Sequence, residues 1–424
     1  MVAVVAMLGC TAPGAGPAAG YEQVDAPIAG DRADALQAVL DEAVRLSGSS
    51  GGVAGVWAPW SGEWTSAVGR EGFEEDAAAL DVDAGIRMAT ATTAITCTIM
   101  LRLADEGELD PDGPVHDLLS DMPGLEGITP AQLCQNTSGI PDYYPGLRSH
   151  FLGNPERVWS PVELVSNSLA LEREAQPGQT WSYSRGGILL LSLALERSTH
   201  RSWNDLANQY VFAPLGLTRT RLPGQNEVSP DGVLRAYAAA GSSGKPDCEH
   251  RLDVSAQSPS VGGAAAGAVS TVSELHTMAQ AFAAGSLLSE HSARTQWSAI
   301  PMGDDAPGWQ SYGLGAAEFG PMRGVAGESP GALTAVLADP DSGLTVVIAL
   351  NNSTSGASFV REAAFALASI GSKAEAAPER ERPMIELPWS LEQAQEKMTE
   401  LAKCPLPAPE AEPEAGDDAE AGEE

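Results

Sequence analysis

Lysine is nearly absent from this chain. Four stand in 424 residues, at Lys245, Lys373, Lys397 and Lys403, so the first half has no amine to serve as a base. Positive charge is scarce altogether: 24 Lys and Arg against 57 Asp and Glu give a formal net charge of −33. That balance excludes a nucleic-acid binder, because no basic surface exists to displace counterions from phosphate. No segment offers the roughly 18 consecutive apolar residues of a membrane span. The five cysteines form no C-x-x-C pair and the six histidines are scattered, so no metal or other cofactor is expected. His116, His150, His200, His250 and His276 fall in segments that read as solvent-facing, which leaves little basis for a Ser-His-Asp triad.

What is present is globular composition. Hydrophobic residues make up 43% of the chain, long enough for one large or two ordinary domains. "MVAVVAMLGCTAPGAG" has an apolar run ending at Gly9-Cys10 and then small residues and proline. It reads as the remnant of a bacterial lipoprotein signal, with Cys10 as the lipidated residue and the only link to a membrane. Residues 1–30 are therefore signal remnant and linker. At the other end, residues 373–424 read as a Pro/Glu/Ala-rich acidic tail, largely disordered. From Pro405 on it carries eight acids and no base. In an exported protein Cys248 and Cys404 can pair, since both lie in loop-like sequence, whereas Cys97 and Cys134 read as small core residues.

Between these ends the pattern is α+β. "DRADALQAVLDEAVRLSG" puts Leu36, Val39, Leu40, Ala43 and Val44 on one helical face. "GGVAGVWAPWSGEWTSAVG" reads as a hairpin turning at Ser61-Gly62. Ala89 to Leu103 is helical, and short helices and Pro-rich loops follow. "GAVSTVSELHTMAQAFAAG" is a helix capped at Ser270 or Thr271 and ending at Gly285. "GALTAVLADPDSGLTVVIALNN" is a hairpin around Asp339–Gly343, and a last helix runs from about Ala357 to Ile370. The expected domain is 31–372. Residues 31–88 and 235–372 form a sheet lobe, and residues 89–234 an inserted helical lobe.

Five stretches in this order resemble one family. They are "IRMATATTAITCTIMLRLADEGELDPDGPVHDLLSDMPG", "ITPAQLCQNTSGIPDYY", "PGQTWSYSRGGILLLSLALERSTHRSWNDLANQYVFAPLGLTRT", "GGAAAGAVSTVSELHTMAQAFAAG" and "GESPGALTAVLADPDSGLTVVIALNN". They are similar to the serine β-lactamase and penicillin-binding-protein group, including class C β-lactamases, D-Ala-D-Ala carboxypeptidases and related esterases. The likeness covers roughly residues 31–372. It implies a β-lactamase/transpeptidase-like fold, an antiparallel sheet flanked by terminal helices, with a cleft between sheet and helical lobe.

That family's chemistry rests on three motifs, and each departs here. With Arg87 on the family's arginine, Thr90 takes the place of the S-x-x-K serine and Thr93 that of its lysine. One helical turn should bring nucleophile and amine to the same face, but the amine is missing. Y-x-N reads Tyr183-Ser184-Arg185, a bulky cation replacing the amide-holding asparagine. K-T-G or H-x-G reads Val325-Ala326-Gly327, followed by Glu328. Arg185 and Glu328, charged where the family is usually neutral, are expected to pair across the cleft and close it; otherwise Arg185 meets a ligand carboxylate. Two literal matches are loops: "GSSGG" at 48–52 precedes a strand, and "SSGK" at 242–245 runs into Pro246.

The resemblance and its departures together imply an exported, lipid-anchored protein of the cell envelope whose catalytic apparatus is dismantled. Its cleft would bind a cell-wall peptide or a protein partner. The alternative is a weak esterase or carboxypeptidase using Thr90 as nucleophile with Tyr183.

Overall fold

The computed structural model describes residues 21–408 except Glu174, Ser229, Asp231 and Ser243. The expected signal remnant with Cys10, and the acids from Glu410 onward, lie outside the described residues.

Helix α1 (Asp31–Ser47) buries the expected stripe and ends at Gly48, whose left-handed φ of 70° closes the last turn. Strands β1 (Gly51–Ala58) and β2 (Gly62–Gly69) make the first hairpin, with Ala58 opposite Gly62. Then come α2 (Thr92–Asp105) and α3 (Arg185–Thr199), which anchor the helical lobe. A surface hairpin of β3 (Tyr237–Ser242) and β4 (Lys245–Asp253) follows. After it, α4 (Val272–Ala284) is capped by Thr271 and stopped by Gly285. Strands β5 (Ile300–Pro301), β6 (Gln310–Tyr312), β7 (Ala317–Phe319), β8 (Met322–Ser329), β9 (Ala332–Ala338) and β10 (Thr345–Leu350) complete the sheet. Helix α5 (Ala357–Gly371) packs on it.

The sheet is antiparallel and eight-stranded, in the order β2-β1-β10-β9-β8-β7-β6-β5. Its central strands read as unbroken apolar runs because both faces are covered. Val347 and Ala349 of β10 join the core under the helical lobe, while Val346, Ile348 and Leu350 join the core under α1 and α5. The fold is the expected α+β, β-lactamase/transpeptidase-like one, with the first and last segments sharing one sheet.

The chain past residue 372 is built differently from the expected disordered tail. Helix α6 (Leu391–Leu401) starts with a capping box between Ser390 and Gln393 and buries Ala394 and Met398. Ahead of it, Trp389 stacks on Phe365 at 3.9 Å and donates its indole N–H to the Phe365 carbonyl. Composition read this stretch as solvated. One buried tryptophan, one capped helix and a cross-link from Cys404 offset its chain entropy instead.

Both pairs of cysteines are joined. Cys248–Cys404 is the pairing the sequence allowed. Cys97 and Cys134 are fully buried, as expected of core residues, but they are also bonded and tie α2 to the short helix Pro130–Cys134. His276 is a second correction. It stacks flat on Trp57 at 4.2 Å instead of facing solvent, and burial pulls its pKa down to about 4. No helix among the described residues is long and apolar enough to cross a membrane.

Candidate active-site cleft

Thr90 sits in a 3₁₀ turn, Ala89–Ala91, that leads into α2. Ala89 just before it holds φ at +48°, a left-handed conformation that costs a non-glycine residue about 1 kcal/mol. The surroundings enforce it. Met88 N–H donates to the Ala268 carbonyl, and the Thr92 hydroxyl donates to that of Ala89. Upstream, Arg87 is half-buried and donates to the carbonyls of Leu234 and Ser255, fastening the strand that enters the turn.

Gly327 of β8 lies against Thr90. A Cβ at Gly327 would fall 1.6 Å from Thr90 Oγ1 and 2.8 Å from its Cβ, so only glycine permits this approach. Positions 90 and 327, far apart in the chain, thus meet in space. One turn along α2, Thr93 is fully buried and donates its hydroxyl to the Ala265 carbonyl at 3.2 Å. A neutral alcohol keeps its acceptor lone pairs but is far too weak a base to take a nucleophile's proton as an amine would.

The Tyr183 hydroxyl is buried with no partner in hydrogen-bonding geometry among the described residues. Burial raises its pKa above the ordinary tyrosine value, against smaller lowering effects of Arg185 and of the nearby Thr93 and Thr90 hydroxyls. The phenol is therefore protonated at neutral pH.

Arg185 is the first residue of α3, whose N-cap Ser184 accepts from Gly187 N–H. Its guanidinium points back into the site. Nη1 meets Asp142 Oδ2 at 2.5 Å, Nη2 donates to the Glu328 carbonyl at 3.1 Å, and the plane lies 4.0 Å over the Tyr144 ring. The side-chain exposures of Arg185 and Asp142 are 7% and 12%, so this is a buried ion pair. Burial alone would lower the guanidinium pKa, but Asp142 raises it well above its usual range. Glu328 does face Arg185, as expected, yet its carboxylate stands 3.8 Å away and is 27% exposed. The principal partner is Asp142, which sequence reasoning did not single out. Its signal was present in "GIPDYY", an acid two residues ahead of Tyr144 in a loop already aligned with the family.

Thr90, Tyr183 and Arg185 line a cleft of about 460 Å³. Trp181, Met302, Tyr312 and Phe319 supply an apolar wall, and Val325 and Glu328 line the strand side. Strand β7 pairs with β8 only over Met322–Gly324. From Val325 to Ser329 no described strand covers the outer edge of β8, and that edge borders the cleft. Leu401 and Lys403 also line it, from a segment that local reading could not connect to the site.

Fold and site define a serine-hydrolase-type scaffold with Thr90 at the head of α2 on the cleft wall. The Beta-lactamase family model matches residues 45–369, and the chain belongs to that family. Penicillin-binding protein 4* of Bacillus subtilis (strain 168) is 26% identical over 150 residues, covering 34% of this chain and 32% of that protein. A D-aminopeptidase of Gluconobacter oxydans (strain 621H) is 28% identical over 169 residues, covering 38% of this chain and 30% of its own. The chain thus matches only about a third of the length of these relatives. Among solved structures, a D-stereospecific amidohydrolase from Streptomyces sp. superposes with a TM-score of 0.66 at 26% identity, covering 76% of this chain and 95% of that one.

Proposed function

We propose that this member of the serine-hydrolase family no longer turns over substrate and uses its cleft to bind an extended cell-wall-type peptide. One observation carries the reading. At the position of the family's lysine stands the neutral hydroxyl of Thr93, which donates to a backbone carbonyl, and Tyr183 is a buried phenol with a raised pKa. The stretch of β8 from Val325 to Ser329, which no described strand pairs on its outer side, supports a peptide as ligand, since main-chain groups there other than the Glu328 carbonyl held by Arg185 can meet an added strand. The apolar wall beside it suits a large side chain. Partner capture by a protein segment of the same extended shape is included in this reading.

Export belongs to the same proposal. Two disulfides support an oxidising compartment. Lipidation at Cys10 would hold the protein at the cell envelope. The second reading is slow ester or amide hydrolysis through Thr90 with Tyr183. It is favoured only by the unpartnered phenol lying near both threonines.

The test is incubation of the purified chain with a fluorescent penicillin and with an activated serine-hydrolase probe, followed by intact mass. An adduct on Thr90 overturns the non-catalytic reading. With no adduct, saturable binding of a peptide ending in D-Ala-D-Ala, competed by unlabelled peptide, supports it.

A further inference from the structure

The segment after α5 lies beyond the matched family region, which ends at residue 369, yet it reaches the cleft. Leu401 closes α6 and Lys403 follows, and both line the cavity. The next residue is Cys404, bonded to Cys248 on the outer hairpin strand β4. Cys248 is exposed and Cys404 half-buried, whereas Cys97 and Cys134 are sealed in the core. A reductant in solution therefore meets the two cross-links on very different terms.

Other contacts hold this strap beside the cross-link, among them the packing of Leu401 and Ala402 on the core under α1 and α5. Ser355 Oγ accepts from Lys403 N–H at 2.9 Å and donates to the Lys403 carbonyl at 3.3 Å. Leu406 N–H donates to the Arg45 carbonyl, and Arg45 Nη1 donates back to that of Leu406. Cys404 itself is held at φ of +56°, a conformation it would leave if free. Its carbonyl presses on Gly48, where a Cβ would come within 2.4 Å. Ser355 is a cleft residue too, so the strap is bonded to the same wall it extends.

We propose that residues 401–406 are a movable wall of the cleft, latched by Cys248–Cys404 and released when a dithiol reduces that bond. One thiolate of the reductant attacks a sulfur of the pair, breaking the S–S bond and forming a mixed disulfide. The reductant's second thiol resolves it, leaving two cysteine thiols and an oxidised, cyclic reductant. Two electrons and two protons pass to the protein. Once released, Leu401 and Lys403 no longer bound the cavity, and the edge of β8 opposite them becomes accessible to a bulkier ligand. As regulation of binding this rests on the reading of the cleft given above, but its mechanics do not need a ligand.

The experiment uses the full oxidised chain under native conditions with graded dithiothreitol, alkylation and peptide mapping, and hydrogen exchange on the same samples. Expected is alkylation of Cys248 and Cys404 while Cys97 and Cys134 stay paired. Exchange should quicken roughly tenfold at residues 401–406, with a smaller rise at 325–329 and none in β9 or β10. Cys404→Ser and Cys248→Ser, without reductant, should each reproduce that pattern. Should selective reduction leave 401–406 unchanged, the latch is overturned. It is overturned equally if exchange rises throughout the sheet, since the bond is then a staple of the whole fold. If the strap releases as expected but neither redox state binds the D-Ala-D-Ala peptide, the latch is supported and the reading of the cleft is what fails.

Discussion

Gly327 and Thr90 touch so closely that a methyl group on the first would overlap the hydroxyl of the second. The contact ties strand β8 to the turn that leads into α2. Gly327→Ala should therefore cost about 1–3 kcal/mol by overpacking, read as a lowered urea midpoint with an unchanged slope. Thr90→Gly removes the two closest of the three contacting atoms, leaving the backbone nitrogen at 3.1 Å, and should recover most of that loss in the double variant. Independent, additive effects of the two changes would show that the contact is looser than the geometry states.

Arg185 was expected to pair with Glu328, and the geometry ranks its partners differently. Asp142→Ala strands a buried guanidinium and should destabilise by about 3–5 kcal/mol. Glu328→Ala removes a longer, more exposed contact and should cost under about 1 kcal/mol. Chemical denaturation of the two double-variant cycles decides it. The Arg185–Asp142 coupling must exceed the Arg185–Glu328 coupling. An equal or reversed order would restore the bridge across the cleft as the principal one.

The segment order, the two hairpins, the helix caps and the three altered motifs were legible because each is written within a few neighbouring residues. Thr90, Gly327, Tyr183 and Arg185 could be brought together only through the resemblance, since more than 90 residues separate the three motifs along the chain. Asp142 escaped because a lone acid in a loop carries no periodic signal. Cys97–Cys134 escaped because a buried half-cystine looks like any small apolar residue. The C-terminal stretch misled for a different reason. Its composition is that of a solvated tail, and the few residues that fold it, Trp389, Ser390 and Cys404, are too sparse to change that composition.

His276 gives a pH test. Its pKa is about 4 in the folded protein, below the ordinary histidine value, because burial disfavours the charged ring. Between about pH 6.5 and 4 the unfolded chain binds the proton that the folded one refuses, so stability is full above 6.5 and falls as pH drops towards 4. The contribution is of order 3 kcal/mol across that window. His276→Gln should flatten this part of the profile when melting is compared at pH 7 and pH 4.5. A parallel loss in both proteins would assign the slope to carboxylates elsewhere.

Trp389→Ala should cost about 3–5 kcal/mol locally, since it removes a stacked ring and the bond to the Phe365 carbonyl. With Cys248–Cys404 intact, the loss should appear as faster exchange in α6 before the sheet responds. Unaltered exchange there would mean that the cross-link alone holds the segment.

The deepest test is whether the chemistry can be put back. Thr90→Ser alone removes a crowding methyl but supplies no base, and Thr93→Lys alone places an amine beside a hindered alcohol. Arg185→Asn alone restores the family's amide-holding residue without touching the nucleophile. A catalytic unit fails when any member is missing, so each single variant should remain unlabelled by fluorescent penicillin. The triple variant should label at position 90 at a measurable rate, provided its near-native fold is first checked by circular dichroism. Labelling by Thr90→Ser alone would reveal a base already present, with Tyr183 the first candidate, and would move the protein from binder to slow hydrolase. A folded triple variant that stays silent would mean that labelling needs further family residues, those at Val325-Ala326-Gly327 first.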